Sequence, residues 1–172
     1  MYISKPIILS FSLPLASATT VTFNGYYSDD SVPISELACY KNGEIMKDQD
    51  WAKLGDITPD FAGFDRVDGP NSELCGTCWS LTYGYTSRSV LVVDGPRGGS
   101  GFTTSFMLMD SLTGGKAEEL GRVNVTAFQV ELLDCGIAPE PTEEERKMVV
   151  GGNWYSNWIY DLYNKHILTK QL

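Results

Sequence analysis

The chain has a single histidine, His166, and few basic residues: 13 Lys and Arg stand against 22 Asp and Glu, a net charge of −9. Phosphate backbones are gripped by clustered cations, so this balance excludes a nucleic-acid binder. Polyanionic substrates are disfavoured for the same reason, whereas a neutral polysaccharide meets no charge penalty. One histidine leaves no His cluster to ligate a metal, and no Ser–His–Asp set can be assembled around it. No apolar run approaches the ~20 residues that a membrane-spanning helix needs, so no integral membrane segment is expected. The glycine-rich stretch GPRGGSG at 95–101 lacks the G-K-[ST] of a phosphate loop, and no cofactor is implied.

What is present begins with an N-terminal leader. Lys5 supplies a short positive region, residues 6–15 (PIILSFSLPL) an apolar one, and Ala16-Ser17-Ala18 a small-x-small cleavage pattern. The expectation is a signal peptide over 1–18, cut before Thr19, and an exported, secreted chain. Removing it takes away Lys5 and no acid, which moves the net charge from −9 to −10. The remainder, in a chain with 42% hydrophobic residues, suits one domain with a modest core.

Export decides how the 4 cysteines are read. They fall as Cys39, the tight pair Cys75-Gly76-Thr77-Cys78, and Cys135. In an oxidising space this is a disulfide framework. A redox pair or half a zinc site at Cys75 and Cys78 would need partners that lie far away in the sequence. Four cysteines allow three connectivities. Strain argues against a structural bridge between Cys75 and Cys78, leaving two.

Along the chain, residues 20–27 (TVTFNGYY) predict a strand, 28–33 a polar turn, and 34–40 a short helix carrying Cys39. Residues 46–54 are weakly helical or irregular. Residues 55–74, with four Asp, three Gly and two Pro, predict loop. Strands follow at 79–85 and 89–94, across a turn at Ser87-Arg88. Thr103 or Thr104 is placed to cap a helix through Leu112, which Gly114-Gly115 ends. The clearest strand is 122–132, where Val123, Val125 and Ala127 alternate before the phase shifts to Phe128, Val130 and Leu132, a pattern that predicts a bulge near Ala127. Several strands with short helices predict a closed, mainly β barrel.

These residues resemble the cerato-platanin family of small secreted fungal proteins. The resemblance is carried by Cys75-Gly76-Thr77-Cys78-Trp79, Phe61-Ala62-Gly63-Phe64-Asp65, Val92-Val93-Asp94, Gly101-Phe102, Leu112-Thr113, Leu120-Gly121-Arg122-Val123, and Gln129-Val130 leading to Cys135. Order and approximate spacing hold from Val21 to Gly136, some two-thirds of the chain. The resemblance implies a six-stranded double-psi β-barrel with short peripheral helices over 19–137, and disulfides pairing Cys39 with Cys75 and Cys78 with Cys135.

It further implies non-catalytic binding of chitin-type N-acetylglucosamine oligosaccharides on a shallow groove, in the fungal wall or as an effector or elicitor meeting a host receptor or plant cell wall. Asp94 is the leading ligand-binding candidate, since it matches the family's Val-Asp position beside the glycine-rich loop; the alternative is an aspartate that caps that loop. Phe102 matches a Gly-Phe-Asn segment, with Thr103 here in place of Asn, which weakens an amide-based contact. Asp65 and Gln129 are further matches, and Trp79 is expected to pack on a disulfide. Glycoside hydrolysis usually needs two carboxylates. Related expansins carry a His-Phe-Asp segment, but Gly63 precedes Phe64-Asp65 here, so no catalytic residue is assigned. Two other readings are a surface-active, self-assembling protein that coats walls or interfaces, and an expansin-like or hydrolytic polysaccharide-active protein. Asn124-Val125-Thr126 is a glycosylation sequon inside a predicted strand.

Residues 138–172 extend beyond the resemblance. Pro139-Glu140-Pro141 suggests a linker, and Thr142 with Glu145 a capping box. Tyr155, Trp158, Ile159, Leu162 and Tyr163 share one helical face, so the extension is expected to carry helix.

Overall fold

A computed structural model describes residues 17–40 and 49–137. Most of the expected leader, the stretch 41–48 and the extension 138–172 lie outside the described residues.

Six strands, β1 (Ser17–Phe23), β2 (Phe61–Phe64), β3 (Cys78–Tyr83), β4 (Thr86–Asp94), β5 (Phe102–Thr104) and β6 (Arg122–Val130), close into a barrel in the order β1-β5-β2-β4-β3-β6. The closed, mainly β barrel agrees with the sequence reading, and its six strands with what the resemblance implies. Two pairs are parallel: β1 with β5, Val21 opposite Phe102, and β2 with β4, Phe61 opposite Leu91. The other pairings are antiparallel, and β1 with β6 seals the cylinder. Two short helices, α1 (Phe106–Thr113) and α2 (Ala117–Leu120), connect β5 to β6.

Burial comes in two layers because β4 is covered on both faces. Val90 and Val92 point into the barrel with Val21, Phe64, Leu81 and Phe102. Leu91 and Val93 point outward, under a second cluster built by Tyr27, Ile34, Leu37 and Leu54 of the N-terminal turns. An uninterrupted apolar run is what a strand buried on both faces requires. The same second layer explains the phase shift in β6. Its register against β3 continues without a bulge, Leu81 facing Ala127 and Ser80 facing Phe128. Val130 is apolar because it packs under the outer cluster. The expected bulge near Ala127 is therefore not observed.

Several local expectations are corrected. Residues 34–40 form two 3-10 turns, Ile34–Glu36 and Ala38–Tyr40, instead of a helix. The strand expected to reach Tyr27 stops at Phe23, and Asn24 caps a 3-10 turn at Gly25–Ser28, its side chain accepting from the Tyr26 N–H. The hairpin turn is Gly84-Tyr85, not Ser87-Arg88: Tyr83 pairs with Thr86, and Gly84 at φ 59° supplies the first position of a two-residue turn. Thr103 and Thr104 belong to β5, so the cap of α1 falls to Ser105, whose hydroxyl accepts from the Leu108 N–H. Most consequentially, β2 lies inside the stretch read as loop. Four residues with an internal glycine carry little strand signal; β2 exists because β4 and β5 pair with its two edges.

All four cysteines are paired, Cys39 with Cys75 and Cys78 with Cys135, as the resemblance implies. One bridge ties the Ala38–Tyr40 turn to the approach to β3. The other ties β3 to the turn Leu132–Cys135 that follows β6.

Candidate functional site

At the end of β4 the Asp94 side chain is buried, with 3% exposure, and takes four hydrogen bonds. Oδ1 accepts from the Ala38 N–H at 2.8 Å and the Gly95 N–H at 2.9 Å. Oδ2 accepts from the Tyr27 phenol at 3.0 Å and Arg97 Nε at 2.7 Å. A carboxylate has about four acceptor sites, so both oxygens are saturated. Burial pushes the Tyr27 phenol far above its ordinary range, and the Asp94 charge beside it pushes further in the same direction.

Arg97 carries this anchor outward. Its second nitrogen donates to the Glu36 carbonyl at 2.9 Å, and its guanidinium lies 3.9 Å from the centroid of the Tyr26 ring. Tyr26 in turn donates to Glu36 Oε2 at 3.3 Å. Desolvation raises the Tyr26 phenol and the Arg97 charge opposes that rise.

The rest of the loop at 95–101 is tied down at every turn. Asn24 Nδ2 donates to the Arg97 carbonyl at 2.7 Å, and the Thr20 hydroxyl to the Ser100 carbonyl at 2.6 Å. Arg122 donates to the Ser100 carbonyl and hydroxyl. Asp65 and Gly101 exchange two bonds, the Gly101 N–H to Asp65 Oδ2 at 2.7 Å and the Asp65 N–H to the Gly101 carbonyl at 3.0 Å. Gly101 is required here: its φ is 80°, and a Cβ would collide with the Thr20 carbonyl.

Of the expected site residues, Asp94 and Asp65 are thus brought to the two ends of one loop. Asp94 lies beneath the surface, while Asp65 is exposed. Phe102 is fully buried, stacked on Phe64 with centroids 4.1 Å apart, and Trp79 meets both rings. It forms the floor under this region. Trp79 also donates through Nε1 to the Thr77 hydroxyl at 2.9 Å. Gln129 is exposed on β6, seven residues beyond Arg122, which at a strand rise of ~3.3 Å puts it roughly 20 Å from the loop. Asn124 is exposed on β6 opposite Thr20. The Tyr26–Arg97 stack was not foreseen from the sequence. The available signal was Arg97, the sole cation in a glycine-rich loop, and the Tyr26-Tyr27 pair that follows the β1 strand.

A six-stranded barrel stitched by the Cys39–Cys75 and Cys78–Cys135 bridges is what the resemblance implies, and comparison with known proteins agrees. The cerato-platanin family model matches residues 19–137. The chain belongs to the cerato-platanin family. It is 34% identical over 126 residues to the heat-stable 19 kDa antigen of Coccidioides posadasii, covering 72% of this chain and 85% of that protein. Among solved structures, cerato-platanin 3 from M. perniciosa superposes with a TM-score of 0.63 at 30% identity, covering 70% of this chain and all of that one. The solution structure of the fungal elicitor cerato-platanin superposes with a TM-score of 0.56 at 30% identity, covering 67% of this chain and 95% of that one.

Within this cerato-platanin domain, Thr103 occupies β5 between Thr22 and Gly63, and its buried hydroxyl makes no hydrogen bond among the described residues. No group of His, Cys, Asp and Glu among those residues could hold a metal ion. No helix among them is long and apolar enough to cross a membrane.

Proposed function

We propose that this member of the cerato-platanin family is exported, its leader 1–18 removed before Thr19, and that it binds chitin-type N-acetylglucosamine oligosaccharides without cleaving them. It acts in the fungal wall, or as an effector or elicitor of host defence. The observation that carries this reading is the four-donor anchorage of Asp94, which holds the loop at 95–101 and the Tyr26–Arg97 stack rigid at the barrel surface. A preorganised wall of backbone, guanidinium and aromatic face suits sugar rings, whose hydroxyls seek hydrogen bonds and whose apolar faces seek ring contact. Asp65 meets the ligand from the exposed side, Asp94 and Phe102 support the wall from below, and Gln129 joins only for a ligand that runs along β6. The similarity to a structure described as that of a fungal elicitor supports the host-facing half.

Hydrolysis would need one carboxyl free to give a proton and a second free to attack or to activate water. Asp94 has every acceptor site committed and an ion pair with Arg97, which suits an anchor and not a proton donor. Titrating the 15N-labelled protein with N-acetylglucosamine oligomers is expected to shift the amides of Gly95, Arg97 and Gly98, and Arg97→Ala should abolish those shifts. Unmoved amides throughout would refute the binding. Reducing ends released from chitin or glucan, and lost on Asp94→Asn or Asp65→Asn, would instead establish a hydrolase.

A surface-active role is favoured by Tyr85 at the hairpin tip and Met107 on α1, both of which stand fully or largely in solvent. Surface tension that falls with protein and ignores added sugar would support it.

A further inference from the structure

Outside the site at 95–101, a groove of about 720 Å³ runs over the outer face of β3, β4 and β6. Its origin is the point at which the outer layer of burial stops. Cys78, Leu91 and Val130, one row across the three strands, are covered by the second core. The next outward-facing row, Ser89 opposite Ser80 opposite Phe128, lines the groove, with Val130 at the edge where that core ends. Asp60, immediately before β2, Arg88 of β4 and Asp134 after β6 are the charged groups along it.

The set is chemically specific. Serine hydroxyls both donate and accept, the guanidinium only donates, and ionised carboxylates only accept. A phenyl ring at one end of a row of hydroxyls offers an apolar face beside hydrogen-bonding groups. Two carboxylates against one guanidinium impose no strong field of a single sign. A volume of about 720 Å³ falls within the usual range for ligand clefts. We infer that this groove is a second saccharide site, one that takes a neutral oligosaccharide and is independent of the loop at 95–101. It borrows the saccharide class from the function proposed above, but not its site. Consistent with a concave wall, Asp60 is exposed while its carboxyl is held above the ordinary carboxylate range by desolvation, against the pull of Arg88.

The test is an amide-shift titration of the full secreted chain with two probes, the N-acetylglucosamine tetramer and a β-1,3-linked glucose tetramer. At least one should move Ser80, Ser89 and Phe128. Phe128→Ala should weaken that response by about tenfold while leaving Gly95 and Gly98 unaffected. Arg97→Ala should do the reverse. Ser89→Ala, which removes the hydroxyl with little change in volume, covers the case in which Phe128→Ala does not fold, and should also weaken groove binding. The inference is overturned if neither probe moves the three groove residues at millimolar concentration, or if their shifts vanish with Arg97→Ala and persist in Phe128→Ala and Ser89→Ala. Because the two sites report through different amides, failure at the groove with success at the loop refutes only this inference, and the converse refutes only the other reading.

Discussion

Asp94 is the residue on which the local electrostatics turn. Removing it strands the Arg97 charge, the Tyr27 phenol and two backbone N–H groups at once. Arg97 is partly exposed and can turn to water, so the main loss is the phenol and the N–H groups left without an acceptor, at about 1–3 kcal/mol each, and Asp94→Ala should lower the urea midpoint accordingly. Tyr27→Phe removes one donor to the same carboxylate and should cost about 2 kcal/mol. Asp60 behaves in the opposite sense. Its folded-state pKa is raised, so the native state binds that proton more tightly than the unfolded chain does. Its unfavourable contribution appears as pH climbs through the ordinary carboxylate value toward the raised one, and is complete above both. Asp60→Asn should therefore raise the melting temperature at neutral pH, with the advantage disappearing in acid below the ordinary value. Thermal melts across that range measure it.

Among the elements, the loop at 95–101 and β2 show how much was legible beforehand. The strands β3, β4 and β6 announce themselves because long alternating or apolar runs report burial directly. The cysteine pairing and the match to the Val-Asp and Gly-Phe segments came through the family motifs. What stayed hidden depends on contacts distant in sequence. Nothing local shows that Phe61–Phe64 is a strand, since its partners are β4 and β5; nothing local shows that Tyr27 reaches Asp94, 67 residues away. The turn at Gly84-Tyr85 was misplaced because Ser87 and Arg88 are polar, yet they continue β4 toward the open end of the outer face. The loop itself offers a direct check. In Gly101→Ala the new methyl group meets the Thr20 carbonyl at a backbone conformation that alanine resists. Proton exchange at Gly98, Gly99 and Ser100 should accelerate more than exchange within β3 or β4, and sugar-induced shifts in the loop should be lost.

For the whole molecule, the two bridges matter as much as the core. They close loops of 36 and 57 residues, each worth about 4 kcal/mol through the entropy of the unfolded chain. Set against the 5–15 kcal/mol typical of a domain, their combined loss should leave the reduced chain unfolded or nearly so at ambient temperature, which near-ultraviolet circular dichroism with and without reductant will show. The fold is also costly to assemble, because its parallel pairings join residues as distant as Val21 and Phe102, so slow refolding is the natural companion of this topology. The seam between β1 and β6 has a further consequence. Every strand among the described residues already has neighbours on both sides, so that barrel leaves no row of unsatisfied amides to recruit a foreign strand. The described barrel can therefore engage a partner only through side chains and loop backbone, and its growth into fibrils would first have to prise that seam apart.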